Sequence, residues 1–182
     1  MTRAIVTPAI LPPAALAELK DWLGITTAQD DAPLTALLHT GLELCERFTG
    51  LMPLAATIEE VLAITGDWQV LSTRPVQAIT GVDGIPADAP RFALPASAYA
   101  IDLDADGGGR VRVLAQGAAG RVAVRCTAGL APDWASLPAP FRQGIMRLAA
   151  HQHRTREGDG AAPLPPAAVA ALWRPWRQVR LA

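Results

Sequence analysis

Two neighbouring segments decide the fold: Arg121-Val-Ala-Val-Arg-Cys-Thr-Ala128, and ten residues on Pro138-Ala-Pro-Phe-Arg-Gln-Gly-Ile-Met-Arg-Leu-Ala149. In the first, Val122 and Val124 alternate with Arg121, Ala123 and Arg125. That period of two buries one face of a strand and wets the other. In the second, Phe141, Ile145, Leu148 and Ala149 recur at helical spacing behind a proline, which suits the first turn of a helix. The chain therefore passes from sheet to helix here, and the rest of it sorts to one side or the other.

Upstream of Arg121 the texture is short β-type runs broken by Gly, Pro and Asp. They predict strands near residues 57–65, 68–71, 76–82, 91–94, 99–103, 110–114 and 121–128. Before residue 55 the pattern is helical. Leu16, Leu19, Trp22 and Leu23 form a short helix that Gly24 ends. A second helix carries Leu34, Leu37, Leu38, Leu42, Leu44, Cys45 and Phe48, with Asp30 and Asp31 as N-cap candidates and Gly50 as its left-handed stop. Downstream, the helix opened at Pro138 runs toward Arg156 and stops at Gly158. A Gly/Ala/Pro-rich link over 158–166 then leads to a short helix over 167–173 and a tail. The expectation is an α+β fold: a helical bundle formed by both chain ends with an inserted small antiparallel β domain. Residues 1–54 form an N-terminal helical hairpin, 55–130 the β insertion, and 131–182 the long helix, short helix and tail, with the helical parts packing as one unit.

Composition narrows the function classes. The chain has 182 residues, 51% apolar and 18% charged, with a net charge of −1. These values describe a folded domain rather than a disordered or broadly nucleic-acid-binding chain. Cys45 and Cys126 sit in apolar helical and strand patterns, where a thiol acts as a small hydrophobe and no disulfide framework is implied. Residues 1–13 lack the apolar core of a signal peptide, and no apolar run reaches the length that spans a bilayer, so synthesis in the bacterial cytoplasm and no membrane partner are expected. Charge is uneven: residues 1–141 carry 9 basic and 15 acidic side chains, residues 142–182 carry 7 and 2. An acidic body with a basic end suits a polarised assembly unit.

Motifs for chemistry are weak. Asp102-Leu-Asp104-Ala-Asp106-Gly107 opens like a calcium loop, but the twelfth position, where a bidentate Glu belongs, is Val113. A β-hairpin turn explains the same residues. His151 and His153 on a helix diverge too far to share an ion. There is no G-x-S-x-G elbow, P-loop or dinucleotide fingerprint, and no histidine lies near a Ser or Cys motif. The expectation is no enzyme, no cofactor and no metal.

The informative segment is the tail, where Trp173, Trp176, Val179 and Leu181 interleave with Arg174, Arg177 and Arg180, without one carboxylate. Burying each tryptophan is worth about 2–4 kcal/mol at most, so such a segment is costly to leave in water. Three uses are open to it: docking on a partner, where Trp and Arg are enriched at hot spots; packing back on its own domain; or binding nucleic acid by phosphate contacts and stacking.

The ordered set of signals resembles the head–tail connector (adaptor) family of long-tailed phages and gene transfer agents. It comprises Leu19-Lys-Asp-Trp-Leu23 with Asp30-Asp31 and Leu34–Leu38, Glu46-Arg-Phe-Thr-Gly50, Leu71-Ser-Thr-Arg-Pro-Val76 leading to Val82, the Tyr99 strand, and Val122–Gly129. It closes with Leu137-Pro138, Arg154 to Arg156, Leu164-Pro165, and Leu172-Trp-Arg-Pro-Trp-Arg177 to Arg180-Leu181. Nearly the whole chain is covered; Trp176, where relatives have a tyrosine, and Cys126, where they have an aromatic, depart from the pattern. The resemblance implies a structural ring, of twelve copies, between the portal of a DNA-filled head and the tail. It also implies that Trp173, Arg174, Trp176, Arg177, Arg180 and Leu181 contact the portal. Its partners would be the portal protein, neighbouring copies and a stopper or other tail-side protein, with DNA passing through the channel without specific binding. A tail-completion or stopper protein of the same particle, and a nucleic-acid-binding protein using the Arg-rich tail, are the alternatives.

Overall fold

The computed structural model describes residues 2–155 and 165–177. Two compact units emerge: one built from residues 1–9 and 55–130, the other from 10–54 and 131–182. The elements in chain order are β1 (Thr2–Thr7), α1 (Pro13–Leu23), α2 (Asp31–Thr49), β2 (Ala56–Ala63), β3 (Gln69–Val70), β4 (Val76–Ile85), β5 (Phe92–Ala93), β6 (Tyr99–Leu103), β7 (Gly109–Val113), β8 (Arg121–Ala128), α3 (Ala139–Thr155) and α4 (Ala167–Trp173). The α+β class expected from the pattern is observed.

The β unit contains a five-stranded sheet in the order β1-β2-β8-β4-β5 and a three-stranded sheet in the order β3-β7-β6, with every strand pair antiparallel. The alternation that predicted β8 holds for most positions: Val122, Val124, Cys126 and Ala128 are buried and Arg121 and Arg125 are exposed, but Ala123, expected on the wet face with the arginines, is buried as well. Opposite β8, Ile58 and Leu62 of β2 share the buried side with Glu60. A fully buried carboxylate needs donors, and Glu60 has four. Its Oε2 accepts from the Ser72 amide (2.8 Å), and its Oε1 accepts from the Ser72 hydroxyl (2.9 Å), the Thr73 amide (2.8 Å) and the Thr73 hydroxyl (2.6 Å). Glu60 thereby fixes the 72–73 segment against β2. On the wet side, Glu59 meets Arg91 at 2.8 Å and Arg125 at 3.9 Å, and Arg125 also meets Asp83 at 3.8 Å.

One boundary differs from expectation. Residues 1–9 belong to the β unit rather than to the helical hairpin, because Thr2–Thr7 pairs antiparallel with β2. Its residues are exposed on both faces apart from a part-covered Arg3, so no alternation marks it as a strand.

In the helical unit, α1 and α2 end at Gly24 and Gly50, both left-handed at φ 72° and 77°, the conformation that favours glycine. Asp30 takes the expected N-cap position of α2, but its side chain makes no capping bond, and Asp31 accepts from Lys20 Nζ at 2.6 Å, joining α1 to α2. Leu34, Leu38 and Cys45 of α2 and Phe141, Ile145, Leu148 and Ala149 of α3 are buried. Gly41 lets the two helices close, since a Cβ there would lie 3.0 Å from Ile145 Cγ2. Glu18 of α1 accepts from Trp134 Nε1 at 3.3 Å and approaches Arg142 Nε at 4.0 Å, tying the first helix to the start of α3.

Candidate partner-binding surface

Alpha-helix 4 is seven residues long and too short to persist by itself. It is held by Val169 and Trp173, one helical turn apart and both buried. The indole of Trp173 lies against α3 at Gly144, where a Cβ would come within 2.2 Å of Nε1, and stands 6.1 Å from the Phe48 ring of α2 at 50°. Beyond it, Arg174–Trp176 form a 3-10 turn closed by the Arg177 amide donating to the Arg174 carbonyl at 3.1 Å. The turn sets Trp176 edge-on to Phe141, with centroids 5.2 Å apart at 77°, and the Arg177 guanidinium 5.6 Å over the Phe48 ring.

The six residues singled out in the tail therefore separate into three groups. Trp173 is fully buried inside its own unit, so for this residue the structure realises packing back on the domain. Trp176 is anchored on Phe141 yet 36% exposed, and Arg174 and Arg177 are exposed. Arg180 and Leu181 lie outside the described residues. Among the described residues neither Arg174 nor Arg177 forms an ion pair, and Arg147 and Arg154 on α3 add two more exposed cations on a helix without a carboxylate. The described surface is aromatic and cationic.

The other candidates fall to local structural duties. Asp102 and Asp104 both bind Arg110, the second at 3.2 Å, and Arg110 lies 5.8 Å over the Trp68 ring. The turn closes by the Gly107 amide donating to the Asp104 carbonyl at 3.0 Å, with Gly107 at φ 77°. Among the described residues no group of three metal-ligating side chains converges. Two residues that matter here escaped sequence reasoning. Gly144 reads as a weak point in a helix and Phe48 as one apolar position among many, and only the placement of Trp173 reveals their use.

No family model matches the chain, and no curated protein matches it. Solved structures do. The chain aligns over 100% of its length and 98% of the other chain with a component of the native gene transfer agent virion, at 30% identity and a TM-score of 0.75. The neck of the native particle computed with C12 symmetry gives 30% identity and a TM-score of 0.77 over the same shares. The chain belongs to the neck proteins of gene transfer agent particles. The neck of the empty particle, computed with C6 symmetry, matches equally fully at 29% identity and a TM-score of 0.80. This neck protein is thus a structural component of a phage-like particle.

Proposed function

We propose that this neck protein is the adaptor: twelve copies form a ring under the portal, prolonging the DNA channel toward the tail and carrying no catalysis. The observation that supports this reading most is full-length alignment with neck structures solved with sixfold and twelvefold symmetry. The face formed by Arg174, Trp176 and Arg177 is the portal contact, with Trp173 holding that face in position from beneath, and Arg180 and Leu181, outside the described residues, are portal-binding residues as well. A closed ring needs two different patches on each subunit, and the portal contact is a third.

The test is electron microscopy with rotational averaging of tail-less, DNA-filled heads before and after adding the protein. An extra ring beneath the portal is expected. The same experiment with Arg174→Glu/Arg177→Glu, which leaves Trp173 in place, should leave the heads bare. Decoration of tails rather than heads would move the protein to the stopper position. Binding to free DNA that weakens steeply with salt would instead favour the nucleic-acid reading.

A further inference from the structure

Both sheets of the β unit end in strand edges, and among the described residues two of the longer edge strands, β1 and β6, have a strand partner on one side alone. At the β5 end of the larger sheet the edge is blunted: β5 has two residues, and β4 beside it carries register irregularities between Val76 and Ala78 and between Ile79 and Gly81. The β3 edge of the smaller sheet is also two residues long. β1 is longer: it pairs with β2 in register from Thr2 to Ile5, with a register shift between Ile5 and Thr7, and β6 pairs with β7 without a break from Tyr99 to Leu103. Neither open edge contains a lysine or a proline, the residues that usually protect a free edge. Both display apolar side chains: Ile5 and Val6 are 50% and 51% exposed, Ile101 and Leu103 46% and 41%.

The two edges lie on different flanks of the unit. Strand β1 is separated from β4 by β2 and β8, a distance of about 14 Å at the usual strand spacing, whereas β6 packs against β4. A rotational ring is made by a heterologous contact, in which one patch of each copy meets a different patch of the next. Two dissimilar, unprotected strand edges on separate flanks meet that requirement.

We infer that β1 of each subunit adds to β6 of the next, so that main-chain hydrogen bonds run from copy to copy around the ring. The inference rests on the ring assembly proposed above and names the surfaces that make it. Strand addition supplies affinity from the backbone, and Ile5, Val6, Ile101 and Leu103 supply the apolar contact.

The test uses particles assembled with the full-length Ile5→Cys/Ile101→Cys protein and a short bis-maleimide, with Val6→Cys/Leu103→Cys as a second pair so that register does not decide the outcome. The native Cys45 and Cys126 are fully buried and stay silent. A ladder of multimers from a double variant, absent from its single variants, is expected. Ile5→Lys should abolish the ladder without changing the melting temperature of the free chain. Dimers from Ile5→Cys alone would mean that two β1 edges pair with each other, and would overturn the inference. So would the absence of multimers from both pairs in particles that contain the protein. A ladder in particles that carry the protein away from the portal would sink the adaptor reading and leave the strand contact standing.

Discussion

Gly144→Ala is the substitution whose sign the structure decides. In an exposed helix interior, replacing glycine by alanine stabilises by about 0.5–1 kcal/mol through backbone entropy. Here the new Cβ would sit 2.2 Å from Nε1 and 2.5 Å from Cε2 of Trp173, whereas ordinary contact starts at 3.4 Å. The indole must therefore retreat by about 1.2 Å from a site where it is fully buried between α3 and Phe48. Overpacking of this kind costs about 1–3 kcal/mol, and complete loss of the tryptophan's packing costs about 3–5 kcal/mol. The net expectation is destabilisation by about 2 kcal/mol. With an m-value of about 2 kcal/mol/M, the urea midpoint followed by far-UV circular dichroism falls by about 1 M. The cause is separable from general damage to α3 by adding Trp173→Phe, whose smaller ring vacates the contested space. The double variant should lie above the sum of the two single losses by at least about 1 kcal/mol. A midpoint that rises in Gly144→Ala, as propensity alone requires, or strictly additive losses, would refute the proposed contact.

Two further outcomes follow from the buried groups. Glu60→Ala leaves the buried Thr73 amide without its acceptor and should destabilise the β unit by about 1–3 kcal/mol, the usual cost of a stranded buried donor. Glu60→Gln keeps one carbonyl oxygen and should cost less; hydrogen exchange of the β2 and β8 amides reads both, and native protection in Glu60→Ala would contradict the role given to this carboxylate. Burial, and then the nearby Glu60 charge, push the Cys126 thiol up to about 11, and burial followed by Glu46 raises Cys45 as well. Both thiols therefore stay protonated at neutral pH, so iodoacetamide should label neither in the folded chain and both in urea. Rapid labelling of either in the native protein would show that its site opens.

Much of the architecture could be read from periodicity because most elements here have one wet and one dry face. Val122 and Val124 against Arg121 and Arg125 announce β8, and Phe141, Ile145 and Leu148 announce α3. Strand β1 was illegible for the opposite reason: with both faces exposed, Thr2-Arg-Ala-Ile-Val-Thr7 has no alternation to show, and its pairing to β2 is a long-range fact. Glu59 and Glu60 look alike in sequence, yet one faces Arg91 and Arg125 while the other is buried under Ser72 and Thr73. The tail was recognisable as sticky, but its division was not. That Trp173 is core and Trp176 is surface depends on where Gly144, Phe48 and Phe141 lie around them.

The same placement bears on what the tail recognises. A single-strand-binding surface works by offering free aromatic faces on which bases stack. Trp173 offers none, Trp176 abuts Phe141 and is 36% exposed, and the open side of Phe48 is covered by Arg177. What remains outward is chiefly positive charge. That charge is not a property of the chain as a whole: residues 131–182 hold seven basic and three acidic side chains, residues 10–54 hold two and six, and both belong to the helical unit. A DNA-binding module would be expected to present a broadly basic face, because affinity grows with the number of phosphates neutralised. A unit whose two chain segments carry opposite charge, with its aromatics already locked by intramolecular packing, is better suited to meeting a protein of complementary charge at a fixed angle.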